Sequence, residues 1–587
     1  MKHRTISRYF AALALFTLPL LIAPITAFGA KKITEYDEIA DYSTTDPIWA
    51  LVSEDPGSRK VDLARLANYA QVNPAAENGG LDFRRSSHTL TWAGTSDTLT
   101  LATGFMRHGR VIKSLTIRHA NAGTFDLGNR SVLNFYADDV VTTASVPTVA
   151  TMTNITWDWS DGDITVTPSD THTGSITVDI EYVDNPPPTY VTNEETLTLY
   201  AASVGYQITD SEVQTAIATT IETLSGGRNT VLFSAGGVPG IYVKIDPDVD
   251  TLHADILTEL GYTTSDEHPA FTVDGAPIDH FWVGKYEGTL IDVTTGTVVS
   301  NASAKTSANL RVASLKRVDP AADITFDETI TVTRQNGAGY HSITNAQWAY
   351  LALRSLTLDH EVRGNNDSGT DYIETTETGT LVVDGYDATD IHVLSGAPYV
   401  AWSHDNTQWG VWDLNGNVFE WVVGVRFVDG EIQVIPDNDA VLSTADFGVA
   451  SSDWRGIAAA DGSLTAPGTP GNLHWDASNV DGSGNLILDD AVTNQSDGST
   501  SSSTQFNAIT SAVGITAPAV LKSLALYPLT IDSPARGRVY MRNLGERIPR
   551  RGGAWVSSSG AGVSALDGYG TRGIRVGSLG FRPAFVD

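Results

Sequence analysis

Trp282, Trp348, Trp402, Trp409, Trp412, Trp421, Trp454, Trp475 and Trp555 are nine of the chain's 13 tryptophans, so nine lie at or after position 282. Each indole carries roughly 150–250 Å² of surface that water does not favour. A segment holding so many must enclose a large aromatic core of its own, and the change in density marks a separate domain. At 587 residues the chain also exceeds the ~250–300 residues at which one hydrophobic core stops growing, so three or four domains are expected.

Upstream the pattern differs. Charged residues are 18 % of the chain, below the usual quarter, while Thr, Ser, Asn and Gly abound; that bias suits β-rich, loop-rich modules. Short alternating runs at Thr89–Trp92, Thr98–Ala102, Ile112–Ile117, Ile164–Val166 and Ser175–Ile180, with a turn at Asp161-Gly162, predict an antiparallel β-sandwich over 80–189. Pro186, Pro187 and Pro188 stiffen its exit as an extended connector. Val213, Ile217, Ile221 and Leu224 then fall at helical spacing behind Asp210, so 190–227 reads as a linker with a helix.

The N-terminus carries Lys2, Arg4 and Arg8 ahead of an apolar run from Phe10 to Ile22, followed by the small residues Ala27, Gly29 and Ala30. This predicts a secretory signal over 1–30. No later stretch reaches the ~20 apolar residues of a membrane span, so the mature chain is expected not to cross a bilayer. Net charge is −32. No basic patch stands out to offset it, and so acidic a chain is repelled by phosphates, which argues against a nucleic-acid partner. The chain has no cysteine, which excludes disulfides, thiolate metal sites and cysteine nucleophiles.

Ordered motifs carry two resemblances. The segment KKITEYDEIADYSTTDPIWALVSEDPGSRKVDLARLANYAQ resembles the short N-terminal segment of phage tail-fibre and receptor-binding proteins, with Val61–Tyr69 as a closing amphipathic helix. It predicts an adapter over 31–79. From 228 to 587 run blocks in fixed order. They are Asn229–Leu232, Ile241–Ile245, His268–Phe271, Phe281–Tyr286, Gly337–His341, Thr344–Trp348, Arg363–Asn366, Gly410–Trp421, Arg551–Trp555 and Gly580–Pro583. Together they resemble the sulfatase-modifying-factor, or formylglycine-generating-enzyme-like, family in its phage and bacterial binding-protein branch. That resemblance implies an α+β C-type-lectin-like domain.

The same resemblance implies a structural calcium held by the side chains of Asp413 and Glu420 and the carbonyls of Gly416 and Val418. Gly416 permits the sharp reversal that brings the two carboxylates to one loop. Formylglycine-generating chemistry needs a cysteine pair for copper, which composition excludes, so no copper is expected. Related enzymes use a histidine iron site. The 13 histidines here are scattered with no His-x-x-x-His pair, so no iron is expected either. His268, His341 and His404 read as structural. Trp409, Trp412, Phe419, Trp421 and Trp555 read as core aromatics and not as a sugar platform.

Between Arg551–Trp555 and Gly580–Pro583 lies VSSSGAGVSALDGYGTRGIRVGSL. Frame and insert resemble the variable region of proteins diversified by retroelements, in which adenines of Asn codons are copied with errors. The family pattern puts diversified positions at Val556, Ser557, Gly560, Asp567, Tyr569, Gly570, Ile574, Val576, Gly577 and Ser578, within a loop over 555–580. Each residue type there can be reached from an AAC codon by changing adenines. The set has no period of 2 or 3.6, as suits a ligand-facing loop better than a core strand.

The reading is therefore a multidomain, β-rich protein: N-terminal adapter and β-sandwich, then the lectin-like domain. Its expected role is non-catalytic binding of a host or neighbour cell-surface protein or glycan, from a secreted or virion-borne position. The resemblance adds a homotrimer as a family property. An enzyme on the same scaffold, and a structural protein with a frozen loop, stay open as alternatives at this point.

Overall fold

In the computed structural model, the described residues are strand segments between 83 and 184 and residues 188–587, apart from 300–304, 383–391 and 532–536. The expected signal, the adapter with its helix at Val61–Tyr69, and the Asp161-Gly162 turn lie outside them. The chain divides into two compact units, Met1–Phe83 and Arg84–Asp587.

The second unit begins with β-structure. Strands Phe83–Thr95, His172–Asp184, Arg110–His119 and Val132–Tyr136 form one four-stranded sheet in that order, and Leu99–Ala102, Ile164–Pro168, Ile155–Asp158 and Thr143–Ser145 form another. Each of the five alternating runs overlaps one of these strands. Pairing is antiparallel wherever register is defined, as in Leu115 opposite Ile180 and Trp157 opposite Val166. Ile180 is fully buried and Leu90 nearly so.

The helix behind Asp210 spans Ser211–Ser225, and the Asp210 carboxylate accepts from the Glu212 and Val213 N–H groups as its cap. A second helix, Glu194–Ser203, precedes it. Both pack into the body beyond them. Leu197, Tyr200, Ile217 and Ile221 share one core cluster with Val231, Ile241, Trp402 and Trp412. Glu194 reinforces this by accepting from the buried Lys285 ammonium at 2.5 Å and the Tyr286 hydroxyl at 2.6 Å. The stretch predicted as a connector therefore carries part of the core.

Two of the sheets of the C-terminal body frame the candidate site. A five-stranded antiparallel sheet runs Tyr340–Ser342, Pro583–Phe585, Phe281–Gly284, Pro239–Ile245, Asn229–Phe233. A six-stranded mixed sheet runs Ser502–Gln505, Arg538–Met541, Gly562–Gly568, Arg550–Gly552, Phe419–Trp421, Leu579–Phe581. The chain leaves the second sheet at Phe581 and enters the first at Pro583, so Arg582 alone occupies the crossover. Between the sheets the Asn345–Thr357 helix starts in a reciprocal cap, Thr344 with Gln347, and buries Trp348, Tyr350 and Leu351 in the largest core cluster.

Candidate functional site

The Gly410–Trp421 block lies beside that crossover. Arg582 is fully buried, and its guanidinium grips both oxygens of the fully buried Glu420, at 2.9 and 2.6 Å. It also donates to the Gly284 and Trp412 carbonyls. Glu287, a residue the sequence did not single out, completes the cluster: it accepts from the Asn417 amide at 2.6 Å and the Val418 N–H at 3.2 Å. Burial, then the charges of Asp413 and Glu420, push the Glu287 carboxyl well above its ordinary range. Burial pushes Asp413 up to about 6, against the pull of the Gly396 N–H and the Arg582 charge.

These contacts test the calcium expectation. Calcium takes about 6–8 oxygens. Glu420 spends both of its oxygens on Arg582, and Glu287 spends both of its own on Asn417 and Val418. Asp413 gives one oxygen to Gly396 N–H, which leaves its Oδ1 as the single buried carboxylate oxygen of the cluster without a partner. Among the described residues no three His, Asp or Glu side chains group as metal ligands. The set Asp413, Gly416, Val418 and Glu420 does not fit the ion. The loop is closed by protein groups instead: a Cβ at Gly416 (φ 85°) would meet the Asn365 carbonyl at 2.0 Å.

The three family-block histidines each bond to groups of the fold. His268 Nε2 lies 2.7 Å from the Ser523 carbonyl, His341 bridges the Gly339 carbonyl and Gln347, and His404 Nδ1 accepts from Val411 N–H. Trp412, Trp421 and Trp555 are buried. His392, itself bonded to Asp319 at 2.6 Å, lies against the Trp555 ring.

The loop positions divide. Val556, Tyr569 and Val576 are exposed, at 66 %, 38 % and 36 %. Ser557, Ile574, Gly577 and Ser578 are half-buried, and Gly560, Asp567 and Gly570 are buried. The ten positions therefore do not all face solvent. Asp567 sits in the Gly562–Gly568 strand, paired to Arg550 at 3.0 Å, and caps the Tyr569 N–H. Ile574 packs on a core cluster with Trp421 and Phe581, close enough to Gly570 that a Cβ there would stand 3.0 Å away. The Ser578 carbonyl accepts from Phe419 N–H.

Register explains how the middle of the loop is drawn into the sheet. Gly562 lies opposite Gly552, yet Leu566 lies opposite Arg551, so the intervening residues bulge and the strand is shortened. Tyr540, opposite Asp567, reaches a hydroxyl to 3.2 Å from where a Cβ on Gly560 would stand. Gly560, Tyr540 and Asp567 are thereby drawn to one sheet region. Val556 belongs to the turn before this strand and Val576 to the far part of the loop after it.

Arginines hold the region. Arg572 grips Glu546 at 2.8 and 3.0 Å and Asp327 at 3.0 Å, and donates to the Phe447 carbonyl. Arg575 pairs with Glu328. Arg542 stacks 3.8 Å from the Tyr569 ring centre, and Arg547 donates to the Tyr569 carbonyl at 3.1 Å. Residues 537–586 carry eight arginines against Glu546 and Asp567 alone, a bias that was legible but hidden by the chain's total charge.

No protein-family model matches the chain, and no curated protein does. Among solved structures, the Major Tropism Determinant U1 Variant is similar at 15 % identity over 54 % of this chain and 51 % of its own, with a TM-score of 0.19. The match spans about half the length of that protein, and a likeness of this size carries no argument about fold or role.

Proposed function

We propose that this chain is a non-catalytic surface-binding protein, whose C-terminal lectin-like body, 228–587, presents the 555–580 loop to a cell-surface ligand. One observation supports it most: Val556, Tyr569 and Val576 stand exposed while the Gly562–Gly568 segment among them is paired into the sheet. Rigid framing of a few exposed apolar and aromatic side chains suits recognition, because little is lost in ordering them on binding. Catalysis has no comparable support. The chain has no thiol, and of the buried Asp413, Glu287 and Glu420 carboxylates only one oxygen, Asp413 Oδ1, is not spent on protein groups. Among the described residues no helix is long and apolar enough to cross a membrane.

The test uses the full chain, fluorescently labelled, on a panel of intact Gram-negative and Gram-positive cells. A Val556→Ser, Tyr569→Ala, Val576→Ser triple variant is expected to lose binding while its circular dichroism and melting temperature stay close to the parent's. Exposed substitutions of this kind shift stability by about 0.5 kcal/mol or less each. A parent that binds no cell in the panel, or a triple variant that binds like the parent, overturns the reading.

A further inference from the structure

The two carboxylates of residues 537–586 are already committed. Asp567 pairs with Arg550, and Glu546 is shared by Arg426 and Arg572. Arg575 and Arg582 find Glu328 and Glu420 elsewhere, while the buried Arg551 is held by Asn345 and two carbonyls. Three guanidiniums remain without a carboxylate partner among the described residues. Arg538 donates to Ser503 Oγ at 3.2 Å, Arg542 to the Thr500 carbonyl at 3.2 Å, and Arg547 to the Leu544 and Tyr569 carbonyls.

Two of them meet at Tyr569, and Arg538 lies beside Tyr540 on the strand that leads to Arg542. Arg542 lies beneath the half-exposed Tyr569 ring, and its Nη2 is a buried donor with no acceptor. Arg547 holds the backbone of the same tyrosine. Arg538 and Tyr540 both flank Gly560. Burial and the neighbouring Arg542 charge lower the Arg547 guanidinium from its ordinary value, with Tyr569 and Asp429 acting the other way. Like charges set side by side with an unused donor favour an incoming anion, and an exposed tyrosine face favours the C–H face of a sugar ring. The chain as a whole, at −32, repels a long polyphosphate. Carboxylates spaced along a glycan are tolerated better.

We propose that Arg538, Arg542 and Arg547, beside Tyr540 and Tyr569, bind a carboxylate-bearing glycan. A uronic- or sialic-acid carboxylate pairs with the guanidiniums, Arg547 foremost, and the adjoining sugar lies on Tyr569. This deepens the binding role proposed above and rests on it.

The full chain is titrated by calorimetry with hyaluronan octasaccharide, a galacturonic-acid oligomer and a sialylated trisaccharide. A neutral N-acetylglucosamine tetramer and a single-stranded thymidine oligonucleotide serve as controls. Binding is expected to at least one acidic sugar, to weaken with added salt, and to be absent for the neutral tetramer. Arg547→Gln is expected to lower affinity about tenfold, the equivalent of one charge-assisted hydrogen bond. Arg547→Lys is expected to retain part of it. Circular dichroism of the half-buried Arg547 variants checks that they fold, and Arg538→Gln gives an independent second reading.

Binding to none of the acidic sugars, equal binding of the neutral tetramer, tighter binding of the oligonucleotide, or full affinity in both Gln variants overturns the inference. Cell binding separates it from the broader reading. If the Gln variants bind cells like the parent while the triple loop variant does not, the glycan assignment fails and the binding role stands.

Discussion

Arg582 shows how much one side chain can carry. It sits where the chain passes from one sheet to the other, with its charge wholly buried against Glu420 and two carbonyls. Desolvating such a pair offsets most of its attraction, but removing one partner leaves the other charge uncompensated, at a cost of about 3–5 kcal/mol. Arg582→Ala is expected to cost that much in chemical denaturation, and Glu420→Gln less, since an amide still accepts one hydrogen bond. Millimolar calcium should leave the wild-type melting temperature unchanged, because Glu420 has no oxygen to give. A calcium-dependent rise in that temperature would reverse our account of the cluster. Trp555 was legible as frame from its place in the Arg551–Trp555 block; Glu287 was not, because nothing local marks a carboxylate that meets Asn417 only in three dimensions.

At the scale of the element, the 569–578 loop owes its form to arginines within it. Arg572 ties it to Glu546, Asp327 and the Phe447 carbonyl, while the Arg572 carbonyl accepts from Phe326 N–H. The partly exposed side chain limits the electrostatic gain, so Arg572→Ala is expected to cost about 1–3 kcal/mol. Its larger effect should be local: faster amide exchange across 569–578 and easier proteolysis there. Unchanged exchange in that variant would show that the backbone alone holds the loop. The positions expected to face solvent along this element were chosen from codon chemistry, which does not report packing. Hence Tyr569 and Val576 proved exposed, whereas Asp567 and Gly570 were taken up by a strand and a neighbouring side chain.

For the whole molecule, the buried histidines are expected to contribute to the response to acid. Desolvation pushes His268 and His341 down to about 4 from an ordinary 6.5. The folded state therefore resists a proton that the unfolded chain accepts. Their stabilising contribution is complete above about pH 6.5 and is lost as pH falls towards 4, up to about 3 kcal/mol for each group. Stability measured by urea unfolding should decline across that window, and the decline should be shallower in His341→Gln. Parallel curves for variant and wild type would mean that other groups govern acid unfolding.

What the sequence determined by itself was whatever rests on local pattern or on counting. The alternating runs became strands, Asp210 capped its helix, the tryptophan-rich half enclosed large cores, and the lack of cysteine closed off thiol chemistry. Tertiary structure alone decided which partners those residues met. Glu420 was read as a calcium ligand because it shares a loop with Asp413, yet Arg582, 162 positions later, reaches it first. The stretch at 190–227 looked like a connector because its helix is short and its approach proline-rich, yet Glu194 meets Lys285 and Tyr286 across about ninety residues. Periodicity reports the face a residue shows to its own element. Which charge waits on the opposite face is settled only when distant strands close on one another, and burial then makes each such pairing decisive.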